Sequence, residues 1–98
     1  MAYRIEYSPD AITHLAVLTA RQRATVVDAV DRQLAQEPLT ETRNRKPMRA
    51  NPVAPWELRV GVLRVYYDVS VDQGLVSVVA VGVKRRDRVV IGRVEIKL

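Results

Sequence analysis

Apolar and polar residues alternate strictly through Tyr3-Arg4-Ile5-Glu6-Tyr7, which predicts a half-buried strand near the start of the chain. Ser8, Pro9 and Asp10 then supply a capping hydroxyl, a ring preset to helical φ and a carboxylate for the positive helix end. Ala11, Ile12, Leu15 and Leu18 form the apolar stripe of that helix. Thr19 opens a second helix, with Gln22 completing a capping box, and Arg23, Val26, Val27, Val30 and Leu34 follow at helical spacing. Pro38 ends this helix near Gln36, and so tight a connection predicts an antiparallel helical hairpin.

Residues 39–55 contain Pro47, Pro52 and Pro55, so they read as an irregular link, long enough in a small domain to suggest a working role. Alternation returns at Trp56, Leu58 and Val60, then at Leu63, Val65 and Tyr67, with Gly61-Val62 as a two-residue turn of type II′. That turn pairs Val60 with Leu63, Arg59 with Arg64, Leu58 with Val65 and Glu57 with Tyr66. One face of the hairpin packs on the helices, and the other displays Glu57, Arg59, Arg64 and Tyr66. Residues 75–81 are nearly all apolar, as in a central strand; Gly82 closes that strand, and residues 89–91 and 94–98 add edge strands. The sum is an α+β fold: an N-terminal strand, a two-helix hairpin and a curved, mainly antiparallel sheet of three to four strands, with residues 1–98 as one domain.

Composition changes this picture in one respect. The net charge of +5 is divided unevenly: residues 1–42 hold four arginines against six acids (−2), and residues 43–98 hold twelve Lys/Arg against five acids (+7). Thirteen Arg against three Lys fits a genome rich in Arg codons, but that preference does not explain the placement. Concentrated positive charge attracts nucleic acid or an acidic protein. Cys is absent, which rules out disulfides and thiolate metal sites. His14 is the only histidine, so neither a metal nor a Ser-His-Asp triad has its ligands, and the residue reads as a partly exposed helix histidine. No cofactor motif occurs among four glycines, and no signal peptide or membrane span is legible, so a cytoplasmic protein is expected.

Chemistry must then run on Arg, Lys, Tyr and Glu. That set suits RNA cleavage, where the internal 2′-hydroxyl is the nucleophile and the protein stabilises charge on phosphorus. Glu57, or a Lys or Tyr of lowered pKa, would assist proton transfer. Glu57 and Arg59 read equally well as members of ordinary cross-strand ion pairs, and the run Lys84, Arg85, Arg86 and Arg88 as solvated charge.

The segments Tyr3-Arg4-Ile5-Glu6-Tyr7-Ser8-Pro9, Arg45-Lys46-Pro47-Met48-Arg49, Trp56-Glu57-Leu58-Arg59-Val60-Gly61, Arg64-Val65-Tyr66-Tyr67-Asp68-Val69 and Ala80-Val81-Gly82-Val83-Lys84-Arg85 resemble, in order, the RelE/ParE superfamily of toxins. The resemblance implies a type II toxin neutralised by a cognate antitoxin, and a target that is either mRNA in the ribosomal A site or DNA gyrase. It implies that Arg64 binds the scissile phosphate and that Lys84, with Arg85 and Arg86, forms the second phosphate-binding position. Arg43, Arg45, Lys46, Arg49, Arg59 and Arg88 complete the expected RNA-binding set, with Glu57 or Tyr66 in the acid/base role. The chain departs from the pattern at Pro55 and Glu57, where the family's nucleases carry basic residues, and at Val89 or Val90, where they carry a tyrosine.

Overall fold

A computed structural model describes residues 2–97; Leu98, the last residue of the final expected strand, lies outside them. The elements are β1 (Arg4–Tyr7), α1 (Pro9–Ala16), α2 (Ala20–Leu34), β2 (Arg45–Pro47), β3 (Trp56–Val60), β4 (Leu63–Ser70), β5 (Leu75–Arg85), β6 (Arg88–Ile91) and β7 (Val94–Ile96). They form the expected α+β architecture, two helices on a sheet that is antiparallel except where β1 runs parallel to β5.

The helix starts follow the local chemistry. Ser8 Oγ accepts from the Ala11 N–H at 3.0 Å, and the Thr19 hydroxyl and Gln22 side chain exchange reciprocal bonds with backbone N–H groups, both at 3.1 Å. Ala11, Leu15 and Leu18 are buried as the stripe predicts, whereas Ile12 lies outside it and is exposed. Arg23 crosses to the end of α1 and donates to the Leu18 carbonyl and, alongside the Leu18 N–H, to the Leu15 carbonyl. Helix α1 lies on β5, and α2 on β3 and β4. Between helices and sheet, Val26, Val30 and Leu34 meet Leu58, Val65, Tyr67, Val76 and Val78 in the main core.

Two expectations are corrected. The sheet has seven strands rather than three to four, in the order β2-β3-β4-β5-β6-β7 with β1 beside β5. The link supplies β2, because Pro47 sits on an edge strand where the missing donor costs no ladder bond. And β5 does not stop at Gly82 but continues to Arg85. A Cβ on Gly82 would stand 2.7 Å from Val89 Cγ1 and from the Val90 carbonyl oxygen, so glycine here lets β6 approach rather than ending the strand.

The edge of β5 is shared, with β1 along residues 75–78 and β6 along 82–85. The N-cap and the last turn of α1 seal the interval. Ser8 N–H donates to the Val78 carbonyl (2.9 Å) and Ser8 Oγ to the Val79 carbonyl (3.2 Å), while His14 Nδ1 accepts from the Val81 N–H (3.3 Å). His14 is thus a structural residue that satisfies the backbone beside the β4–β5 register shift.

Tyr7 carries a buried hydroxyl with no hydrogen-bond partner. Burial, and secondarily the Asp31 charge, push its pKa up to about 12 from an ordinary 10. Because the folded value is raised, this contribution to stability is intact below pH 10 and is lost as pH climbs from 10 to 12, where only the unfolded chain releases the proton readily. Tyr7→Phe therefore flattens the loss of stability across that window, as read by urea melts at pH 9, 10.5 and 12. At neutral pH the variant is at least as stable as the parent, since it deletes an unsatisfied group. An alkaline profile as steep as the parent's contradicts the assignment.

Candidate nucleic-acid interface

The hairpin register is the one the alternation predicts: Trp56 with Tyr67, Glu57 with Tyr66, Leu58 with Val65, Arg59 with Arg64 and Val60 with Leu63. Gly61 holds φ +59° at the first turn position, as type II′ demands. Alternation then places Lys46, Glu57, Arg59, Arg64, Tyr66 and Lys84 on the sheet face away from the helices.

That face is not open throughout. Tyr66, Ala80, Val89 and Ile91 bury there with Ala54 from the link, and Met48 and Val53 pack against them as a second, smaller core. Tyr66 is fully buried and Glu57 is 8% exposed. Burial first, and then the adjacent Glu57 charge, push the Tyr66 phenol well above its ordinary value; Arg64 and Arg59 offset only part of this. Its hydroxyl makes no hydrogen bond of ordinary distance and angle, so the influence of Glu57 on it is chiefly one of charge. A Tyr66 of lowered pKa, one candidate for proton transfer, is therefore corrected: the phenol lies beneath the surface and keeps its proton.

The charged residues resolve their repulsion individually. Arg59 Nε donates to Glu57 Oε1 at 2.7 Å, with Arg59 half-exposed and the carboxylate nearly buried. Arg64, directly across from Arg59, turns its guanidinium onto the carbonyls of Gly61 (2.7 Å) and Leu63 (2.9 Å). Two opposed arginines thus coexist, one neutralised by a carboxylate and the other solvated by the turn.

Around Glu57 lies a groove of about 480 Å³, lined by Lys46, Arg49, Arg59 and Lys84, with Met48, Asn51, Asp87 and Val89 among its other walls. Four cations against two carboxylates give it a positive balance. Not every expected contact residue is here. Arg45 points to the helix side, donating to the Gln33 and Thr40 carbonyls (3.1 and 3.0 Å) and so tying the end of α2 to the link. Arg85 falls on the helix-bearing face, opposite to Lys84, because β5 continues through both and adjacent strand residues point apart. Arg88 shares that face and pairs with Glu95 at 3.3 Å. Arg86 occupies the β5–β6 turn at φ +58°, and Arg43 is exposed on the link; neither lines the groove.

Sequence reasoning missed Asn51. Its amide donates to the Arg49 and Ala54 carbonyls and accepts from the Val53 and Ala54 N–H groups, which fixes the loop that carries Arg49. An Asn before Pro52 was the available signal, since such a side chain commonly closes a local turn. Asp87 was overlooked because it sits within a run of cations. Among the described residues, no cluster of three or more His, Cys, Asp or Glu stands close enough to hold a metal, and no helix is long and apolar enough to cross a membrane.

No protein-family model matches the sequence, and no curated protein matches it either. Among solved structures, the RelBE2 toxin–antitoxin complex of Mycobacterium tuberculosis contains a chain that superposes with a TM-score of 0.75 at 26% sequence identity, covering 86% of this chain and 100% of that one. The chain is RelE-like. The likeness spans the whole of the neighbouring chain and most of this one, so the two share their overall fold. On the RelE-like sheet the groove occupies the face free of helices, bounded by the link on one side and the β5–β6 turn on the other.

Proposed function

We propose that this chain is the toxin of a type II toxin–antitoxin module and that it cleaves mRNA on the ribosome. The observation that carries the reading is the groove: a nearly buried carboxylate, Glu57, ringed by Lys46, Arg49, Arg59 and Lys84. A phosphodiester seated there meets guanidinium and ammonium donors suited to its added charge in the transition state. The RNA 2′-oxygen forms a bond to phosphorus and gives its proton to Glu57. The bond to the 5′-oxygen breaks, and that oxygen takes a proton from Lys84 or solvent. The products are a 2′,3′-cyclic phosphate and a 5′-hydroxyl end. Arg59 holds the Glu57 carboxylate in place until RNA phosphate competes for the guanidinium. Arg64, across the ladder from Arg59, lies outside the groove lining and supplies a further cation by leaving the turn carbonyls and swinging toward the bound phosphate.

A partner antitoxin fits the same surface, covering the cationic groove with acidic residues and the adjoining apolar wall of Met48 and Val89 with apolar ones. The neighbouring structure is itself a toxin–antitoxin complex, which supports such a partner here. Action in the cytoplasm follows from a ribosomal target.

A second reading, inhibition of DNA gyrase without nuclease activity, is favoured by one observation. The resemblance expects a tyrosine at Val89 or Val90; neither valine offers a proton donor, and Val89 is buried in the second core. Purified protein added to a translation extract and, separately, to a gyrase supercoiling assay distinguishes the two. The expected result is arrested translation with unimpaired supercoiling, and arrest weakened by about tenfold or more in Arg64→Ala, the loss of one charge-assisted phosphate contact. Undiminished arrest by Arg64→Ala removes that arginine from the site; blocked supercoiling with normal translation removes the nuclease reading.

A further inference from the structure

On the helix-bearing side of the sheet, α1, the start of α2 and the β5–β6 hairpin enclose a second cleft of about 130 Å³ whose polar side chains are His14, Gln22 and Arg85. Each of the three presents hydrogen-bond donors, and the acceptors of His14 and Gln22 are already engaged by backbone N–H groups. His14 Nδ1 accepts from the Val81 N–H, so the neutral ring carries its proton on Nε2. Gln22 Oε1 accepts from the Thr19 N–H, which leaves the amide NH2 as the free end. Arg85 forms no ion pair among the described residues; Glu95, on the same face of the sheet, is engaged by Arg88. Arg88, directly across from Arg85 in the ladder, is thus already neutralised, which leaves Arg85 as the unpaired cation of this pair. The rest of the wall is largely apolar, from Val81, Val83 and Val90 among others.

We infer that this cleft is a carboxylate-binding subsite that takes an aspartate or glutamate side chain of a protein partner. The Arg85 guanidinium, unpaired among the described residues, stands with the free N–H groups of His14 and Gln22, and its planar fork matches the two oxygens of a carboxylate. The volume is well below the roughly 300 Å³ at which pockets begin to seat drug-sized ligands, so a nucleotide finds no room for its base and sugar. The valine walls suit the methylenes of an acidic side chain. The cleft lies on the opposite side of the sheet from the basic groove, and the inference stands whatever that groove acts upon.

The test is a titration of isotope-labelled protein with N-acetyl-glutamate-N′-methylamide, against the glutamine analogue at matched ionic strength. The readouts are the Val81 and Gly92 backbone amides and the Gln22 side-chain NH2. The expected result is saturable shifts at these three groups with the glutamate compound alone, about tenfold weaker binding in Arg85→Gln, and none in Gln22→Glu. The latter keeps the capping box, because Glu serves at that position as well as Gln, but places a carboxylate inside the cleft. Equal shifts with the glutamine analogue, or unchanged binding in both variants, would overturn the inference. So would inorganic phosphate saturating the same amides at lower concentration.

Discussion

Glu57→Gln is expected to reduce mRNA cleavage by about 10²–10⁴-fold, the ordinary worth of a positioned general base. The substitution keeps the side-chain volume in a site that is only 8% exposed, so packing against the second core is preserved. It removes the group that takes the 2′-hydroxyl proton and releases Arg59, whose Nε is held at 2.7 Å by that carboxylate. The ion pair, half-exposed at its Arg59 end, is worth about 1 kcal/mol, so the melting temperature falls by at most about 4–8 °C. Binding separates the chemical role from a structural one. Deleting a negative charge from a cationic groove leaves RNA binding equal or tighter while the cleavage step collapses. A variant that cleaves at nearly the parental rate, or that loses binding and cleavage together, contradicts the role given to Glu57.

The largest effect expected on stability is at Gly82. Gly82→Ala places a methyl group 2.7 Å from the Val90 carbonyl oxygen and Val89 Cγ1, and 2.9 Å from Ile91 Cγ1. The carbonyl belongs to the backbone of β6, so rotamer changes cannot clear the overlap and the strand must move away from β5. A cost of about 2 kcal/mol follows, or roughly 8–16 °C of melting temperature in a domain of this size. The site suffers too, because Val89 forms part of the groove wall and packs beside Tyr66. Thermal melts by circular dichroism measure the effect. A melting temperature within about 2 °C of the parent's, less than a half-kcal/mol change, would show that β6 is free to shift and that the close approach is unimportant.

Local rules made much of the architecture legible. Ser8 and the Thr19–Gln22 pair begin helices because their side chains satisfy backbone donors that have no partner within the helix. The Gly61-Val62 turn fixed every pair in the β3–β4 register, since a two-residue loop leaves no freedom to slip. What escaped was decided by distant contacts. Gly82 looked like a stop because its sequence neighbours do not reveal β6 pressing on it. Strand β2 was invisible in a proline-rich link because its ladder depends on β3, which begins only at Trp56.

The site was legible by face but not by depth. Alternation put Glu57, Arg59, Arg64 and Tyr66 together, yet it could not show residues 48–55 packing over that face and burying Tyr66. Likewise, the run at 84–88 reads as one cluster along the chain. In the folded strand it divides, sending Lys84 to the groove and Arg85 to the cleft behind it. Arg45 appeared to be one more cation of a basic loop, and only the position of α2 shows that it serves the fold.

The most direct measurement is to map the ends of cellular transcripts after brief expression of the parent, Glu57→Gln and Lys84→Gln. The expected result for the parent is cuts within codons held in the ribosomal A site, leaving 2′,3′-cyclic phosphate and 5′-hydroxyl ends, with such cuts lost in both variants. Growth arrest by the parent with intact transcripts would contradict the nuclease account, and accompanying gyrase-dependent DNA breaks would replace it with the second reading.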